Sequence, residues 1–228
     1  MKLHWSPRSP FVRKVMIVLQ EKGMLDQVAC VRSTVAFAAM PNRELQRDNP
    51  LGKLPTLVLD DHRTLFDSRV ICEYLDTLGS GPRLLPDSGE ARFSQLRWQA
   101  LGDGLTDILL LWRTELTRPT GVLEILPLSF ESKVRATMAL LEREAGQLDS
   151  AGFGLGHIGI VCALGQLDFR FLENQWRDAF PELARWHERV SARESIRATV
   201  PQDDPSPGVV GENFDPKKPI IDFLTTQP

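Results

Sequence analysis

The chain is poor in cysteine: three among 228 residues, Cys30, Cys72 and Cys162, set far apart. Their spacing matches no close-set metal or redox pair, and an odd number argues against a closed disulfide scaffold. Cys72 and Cys162 fall within apolar helical patterns and are expected to be small buried hydrophobes. Long hydrophobic runs are missing too, and no apolar stretch reaches the length of a membrane-spanning helix. The opening Met1-Lys2-Leu3-His4-Trp5 lacks the apolar run and small-residue cleavage site of a secretory signal, so a cytoplasmic location is expected. There is no long basic tract, and with a formal net charge of -3 a nucleic-acid partner has no electrostatic support. No cluster of His, Cys, Asp and Glu has metal-ligand spacing.

What is present is an ordinary globular balance, 42% hydrophobic and 25% charged, in a chain long enough for one large domain or two smaller ones. Leu3-His4-Trp5 reads as a strand, and a helix follows from Pro10 to about Lys22. Val12, Val15, Met16 and Leu19 form its apolar stripe, and Gly23 is its natural stop. Gln27 to Val31 is a second short strand, followed by a polar, irregular segment through Arg43-Glu44-Leu45. Leu57-Val58-Leu59 pairs across Asp60-Asp61 with Thr64-Leu65-Phe66, and a helix covers Ser68 to Leu78 with Val70, Ile71, Tyr74 and Leu75 facing inward. The order is βαβ followed by ββα, which by itself allows several small α/β folds.

Leu84-Leu85-Pro86-Asp87 reads as a connector, and from Ser88 onward the periodicity is helical. Helices are expected over Ala91 to Leu116, Phe130 to Leu148, Ile158 to Phe171, and Pro181 to about Ala192. The third is nearly all apolar at its start, as suits the central helix of a bundle. After Val200 the composition turns to Pro, Gly and Asp, which predicts a tail over 201–228 that is laid on the surface or partly disordered.

The most informative stretch is Asn49-Pro50-Leu51-Gly52-Lys53-Leu54-Pro55-Thr56-Leu57, followed ten residues later by Asp67-Ser68. It is a turn feeding a strand with a proline at the strand's mouth, a place for edge, bulge or cis geometry. Taken with Ser9-Pro10-Phe11-Val12-Arg13, it resembles the cytosolic glutathione transferase family, and bacterial serine-type members in particular. The resemblance implies an α/β thioredoxin-like N-terminal domain followed by an all-α helical-bundle C-terminal domain. It assigns residues 1–80 to glutathione binding and 88–200 to the electrophile. It also implies a homodimer, glutathione as cosubstrate and a small hydrophobic electrophile bound between the domains. Glutathione-dependent isomerisation, dehalogenation or ether cleavage would start from the same thiolate, and a non-catalytic glutathione or hydrophobic-ligand binding protein is the reading from a different class.

The chemistry such an enzyme needs can be assigned residue by residue. A free thiol with a pKa of about 8.5 is mostly protonated at neutral pH and needs a donor beside the sulfur. Ser9 follows the first strand and precedes Pro10, which suits the first turn of a helix, so its hydroxyl can cap that helix or point to a thiolate. Ser6 is a possible substitute. The Ser6–Pro10 window holds no cysteine, which counts against mixed-disulfide chemistry. By the resemblance, Leu54 pairs its backbone with the cysteinyl part of glutathione in the manner of an added strand, beside Pro55 as the family's cis-proline. Ser68 and the first helical amides receive the γ-glutamyl carboxylate and Asp67 reaches the ammonium. Lys53 is matched to the glycyl carboxylate, with Asn42 and Arg43 as weaker candidates, and Phe11 covers the sulfur side. Asp103, Thr106, Asp107, Leu110, Trp112 and Arg113 are the candidates for the electrophile side. One departure stands out. Where the family starts its core helix with Ser or Thr and an Asp three residues on, this chain has Gly154 and His157, and the run Gly152, Gly154, Gly156 and Gly159 points to an unusually flexible or closely packed start.

Overall fold

A computed structural model of the chain describes residues 1–36, 40, 42–203 and 220–224. The first elements are β1 (Lys2–Trp5), α1 (Pro10–Glu21), β2 (Ala29–Arg32), α2 (Arg43–Asp48), β3 (Thr56–Val58), β4 (Thr64–Leu65) and α3 (Ser68–Leu78), with a short 3-10 turn at Leu25–Gln27. The sheet order is β2-β1-β3-β4. β1 runs parallel to β2 with Leu3 opposite Cys30, and antiparallel to β3 with Leu3 opposite Leu57. β3 runs antiparallel to β4 with Leu57 opposite Leu65. This is the expected thioredoxin-like order, and an all-helical part follows it: α4 (Gly89–Leu116), α5 (Ile125–Ser150), α6 (Leu155–Arg170), α7 (Trp176–Ala179), α8 (Pro181–Ser191) and α9 (Glu194–Arg197).

α1 shows why the sequence folds as it does. Ser9 caps its start and Pro10 fills the first position, where a missing N–H costs nothing. Val12, Val15 and Leu19 are fully buried and Met16 is half-buried. Each such burial contributes about 1.5–3 kcal/mol, so a charge at Val15 would unseat the helix. At the other end Gly23 adopts φ +63, while its N–H reaches Gln20 O and the Met24 N–H reaches Leu19 O. That pair of bonds is the Schellman closure, for which glycine's left-handed conformation is required.

Two expectations are corrected. Of the stretch expected to be irregular, its last three residues, Arg43-Glu44-Leu45, open the helix α2, whose start is capped by Asn42 Oδ1 accepting from the Glu44 and Leu45 N–H groups, while residues 37–39 and 41 lie outside the described residues. Leu45 is its single buried residue, too little apolar periodicity to read as a stripe. Val70, expected inward on α3, is 48% exposed, whereas Ile71, Cys72 and Leu75 are buried.

By contacts the chain forms two compact units. One comprises Met1–Leu96 with residues 194–203, and the other Arg97–Arg193 with residues 220–224. In the first, Lys22 Nζ donates to Gly81 O (2.8 Å) and Pro82 O (3.1 Å) and lies 3.3 Å from Asp76 Oδ1. The Asp76 carboxylate accepts from the Leu84 and Leu85 N–H groups, so the connector is tied down along its length. Arg13, on α1, donates to Ile196 O at 3.2 Å and secures α9. In the second unit, a Cβ on Gly102 would stand 2.4 Å from Gly159 C, so α4 and α6 cross closely enough to require glycine there. Of the expected tail, 204–219 and 225–228 lie outside the described residues. In 220–224, Ile221 and Phe223 are buried, and Arg135 Nη2 donates to Asp222 O at 2.6 Å.

α6 starts on Gly154 in an extended conformation, and His157 takes the place of the missing acid. Its Nδ1 accepts from the Gly154 N–H at 3.3 Å and its Nε2 lies 2.9 Å from Leu148 O, a pairing that makes Nε2 the protonated nitrogen. Glycine offers no side-chain oxygen, so only one half of the reciprocal box exists. The ring is buried beside Trp98, Phe153 and Trp186. The helix start is therefore closed by an imidazole, and burial pushes that imidazole's pKa down.

Candidate functional site

α1 is the element around which the sequence-predicted residues gather. Ser9 adopts an extended conformation, φ -86 and ψ 117, and its Oγ accepts from the Val12 N–H at 3.3 Å. Ser9 is half-buried, and Phe11 is half-buried in the first turn after it. Ser6, the alternative donor, is 4% exposed and gives its carbonyl to the Ser9 N–H. The Val12 side chain belongs to a buried cluster with Leu54 and Leu45, flanked by Trp5, Met16 and Val35. The residue that caps onto Ser9 through its backbone thus shares a buried cluster with Leu54 through its side chain.

The Leu54–Pro55 peptide is cis, as the motif led one to expect. The β3 ladder starts at Thr56, opposite His4, so Leu54 stands just ahead of the sheet. The turn leading there is built on a residue whose role the sequence did not reveal. Asn49 is fully buried, and its Nδ2 donates to Lys53 O (3.2 Å) and Thr56 Oγ1 (2.9 Å). Its Oδ1 accepts from the Leu51 N–H at 3.0 Å, and Gly52 at φ +60 completes the reversal. An Asn before Pro at the head of a turn was the available signal. The Lys53 side chain is exposed while its carbonyl serves this turn.

Asp67 is the N-cap of α3, its Oδ1 accepting from the Arg69 N–H at 2.9 Å, and the Phe66–Asp67 peptide is also cis. Asp67 is exposed and Ser68 is 2% exposed. Ser68 Oγ lies 3.3 Å from Nζ of Lys14, a buried lysine of α1 that sequence reasoning missed because it interrupts an apolar stripe. Ser9, Leu54-Pro55 and Asp67-Ser68 are therefore each connected to α1 by a residue within its first five positions.

Behind the site, His4 on β1 is fully buried between Ser33 Oγ (2.9 Å from Nδ1) and Asp48 Oδ2 (2.7 Å from Nε2). Lys2 Nζ reaches the same Asp48 oxygen at 2.7 Å. Hydrogen bonds from His4, then from Lys2, hold the Asp48 carboxyl below its ordinary pKa. This network anchors the end of α2, whose start carries Asn42 and Arg43. Asn42 is spent as a cap, and Arg43 is exposed.

The electrophile-side candidates divide. Asp103 and Thr106 are buried, Thr106 Oγ1 donating back to Gly102 O at 2.9 Å within α4. Asp107 is exposed, and Leu110 and Arg113 are half-buried. Trp112, a cleft candidate on a helix whose apolar residues are expected mostly in the core, is 2% exposed, with its ring 5.3 Å from Phe171 and 6.4 Å from Phe130. It is a core residue of the helical unit. No set of three or more His, Cys, Asp or Glu among the described residues is placed to hold a metal, and none of their helices is long and apolar enough to cross a membrane.

The arrangement offers a helix N-terminus with a hydroxyl at its tip, a cis-proline peptide ahead of a strand, and a second capped helix N-terminus. Anions are favoured at both helix starts. Comparison with known proteins gives the same pattern a name. Residues 8–78 match the glutathione S-transferase N-terminal domain and residues 110–189 the C-terminal domain. The chain is 33% identical over 204 residues to the uncharacterized GST-like protein YibF of Escherichia coli K12, covering 88% of this chain and 98% of that one. The crystal structure of a glutathione transferase family member from Pseudomonas fluorescens Pf-5 with bound glutathione is similar, with TM-score 0.84, 41% identity, and 89% and 99% of the two chains covered. A second structure from that organism holds S-(propanoic acid)-glutathione, with TM-score 0.81, 40% identity, and 89% and 100% covered. With both domains matched and near-complete relatives above 30% identity, the chain belongs to the glutathione transferase family.

Proposed function

We propose that this protein is a serine-type glutathione transferase, in which the Ser9 hydroxyl stabilises the thiolate of bound glutathione and the sulfur attacks a small electrophile. The observation that carries the reading is the geometry of the Ser9 oxygen. A hydroxyl has one donor and two acceptor sites. Because Oγ accepts from the Val12 N–H, its own proton remains available to a thiolate lying over the helix start. The electropositive end of α1 adds to the preference for the anion. The thiol proton passes to solvent, the carbon–sulfur bond forms, and the electron pair leaves with a departing group or is protonated on the neighbouring carbon.

In this reading residues 1–80 bind glutathione and 88–200 receive the electrophile. Leu54 meets the cysteinyl backbone, Pro55 shapes that peptide, Lys53 faces the glycyl carboxylate, and Asp67 and Ser68 hold the γ-glutamyl end. Phe11 covers the sulfur. The class of electrophile is small and hydrophobic; the propanoic acid adduct held by the Pseudomonas relative favours, as a second reading, a short electrophile bearing a carboxylate. Arg8, next to Ser9, is the nearest cation in sequence to receive it. A homodimer is the assembly that the family resemblance implies, and the exposed apolar side chains Leu51 (64%), Val70 (48%) and Phe93 (65%) are the candidates offered for its contact.

The test is conjugation of an aryl halide and of acrylate, each with wild-type protein and Ser9→Ala. Loss of one hydrogen bond to a charged sulfur predicts a fall of about ten- to a hundredfold in kcat, with glutathione still bound. Full turnover in Ser9→Ala sinks the serine mechanism, and the ratio of the two substrates decides the electrophile class.

A further inference from the structure

Lys14 is 1% exposed, and Ser68, whose Oγ lies 3.3 Å from its Nζ, is 2% exposed. A buried ammonium costs free energy that a methionine of similar volume would avoid, so packing alone does not select lysine here. Its neighbours on α1, Val12, Val15 and Val18, are all fully buried apolar residues. The chemistry of the contact has a direction. An ammonium has three donors and no acceptor, so the Ser68 oxygen must accept from Lys14. The Ser68 hydroxyl proton is then excluded from that side and has to donate elsewhere. Ser68 is the first residue of α3, where the unpaired amides of the helix start also point.

We propose that Lys14 is a positioning residue for the glutamyl end of glutathione. It holds the Ser68 oxygen as an acceptor, aims the hydroxyl proton with the α3 amides at the glutamyl α-carboxylate, and places a fixed positive charge close behind that carboxylate. This rests on the reading of Ser68 as the carboxylate's partner. Inside the protein such a charge acts through a lower dielectric than water and is weakly screened by salt. α1 then serves both ends of one ligand: its N-terminus faces the sulfur, and its second turn supports the carboxylate.

The experiment is a double-mutant cycle on the full chain, with Ser68→Ala, Lys14→Met and the double variant, read by calorimetry of glutathione binding and by steady-state kinetics. Each single variant is expected to weaken glutathione about ten- to a hundredfold, with the loss in KM rather than kcat. The double variant is expected to lose no more than the weaker-binding single one, because both act on the same carboxylate. A loss with Ser68→Ala but none with Lys14→Met overturns the proposal and leaves the site reading standing. No loss with Ser68→Ala overturns the site reading itself. Additive losses make Lys14 independent of Ser68 and also overturn the proposal. Should Lys14→Met not fold, Lys14→Gln is compared with wild type on glutathione and on glutathione whose glutamyl α-carboxylate is converted to an amide. A loss of about tenfold on glutathione that is absent on the amide supports the proposal, and an equal loss on both ligands, or none on either, contradicts it.

Discussion

Ser9 caps α1 and is proposed to donate to the thiolate, two roles that separate by substitution. Alanine and glycine both remove the Oγ, and with it the donor and the acceptor for the Val12 N–H, but glycine is a tolerable N-cap and alanine a poor one. We therefore expect Ser9→Ala to lower stability by about 1 kcal/mol and Ser9→Gly by a few tenths, as measured by urea unfolding. Both variants should lose turnover equally; if activity tracks stability instead, Ser9 is a cap and nothing more. Asn49 presents the opposite case, a residue with no part in chemistry on which the cis-proline turn depends. Asn49→Ala leaves Lys53 O and Thr56 Oγ1 without a partner they have now, and should cost about 1–3 kcal/mol while raising KM for glutathione. Unchanged KM would show that the turn holds without it. The motif Asn49–Leu57 was legible as a motif because proline and glycine carry their geometry in their identity. The inward role of Asn49 was not, since one polar side chain reads the same whether buried or solvated.

At the scale of elements, the long periodic helices α1, α3, α4, α5, α6 and α8 were legible, with ends within three residues except for the start of α5, which lies five residues before the expected Phe130, whereas α2, α7 and α9 were not. Those three have 4 to 6 residues and too few buried positions to set a period. At the start of α6 the place of His157, three after Gly154, was legible as that of a capping side chain, but that imidazole would accept from the Gly154 N–H was not. Its buried ring gives a signed prediction. Burial, the largest cause, lowers the His157 pKa in the folded protein, and the Arg193 charge adds to it against the bond to Leu148. The unfolded chain then binds the proton first, so the contribution is fully present above the unfolded value of about 6.5 and is lost as pH falls through the folded value. Thermal melts from pH 7.5 to pH 5 should show a steeper loss in wild type than in His157→Asn, whose amide does not titrate. Parallel curves would assign the loss to other groups. Asp48 has its own window, lower on the pH scale. Its folded pKa is depressed by His4 and Lys2, so its contribution is present above the ordinary carboxyl range and disappears as pH falls through the folded value.

For the whole molecule, the α/β part followed by helices was legible because strand and helix periods alternate up to the connector and only helical ones follow it. That residues 194–203 group with the first unit was not legible, because the bonds from Arg13 to Ile196 O and Thr199 Oγ1 join positions far apart in sequence. The homodimer that the family resemblance implies predicts a mass of two chains by light scattering, and Val70→Asp with Phe93→Asp, at its candidate contact, should shift it towards one. A wild-type mass of one chain ends the dimer proposal. The central claim concerns the sulfur, and it is tested most directly by titrating the thiolate absorbance of glutathione bound to wild-type protein and to Ser9→Ala. The account predicts a bound thiol pKa well below the free value in wild type and a return towards it in the variant. Tight binding with the same thiol pKa in both proteins would contradict it.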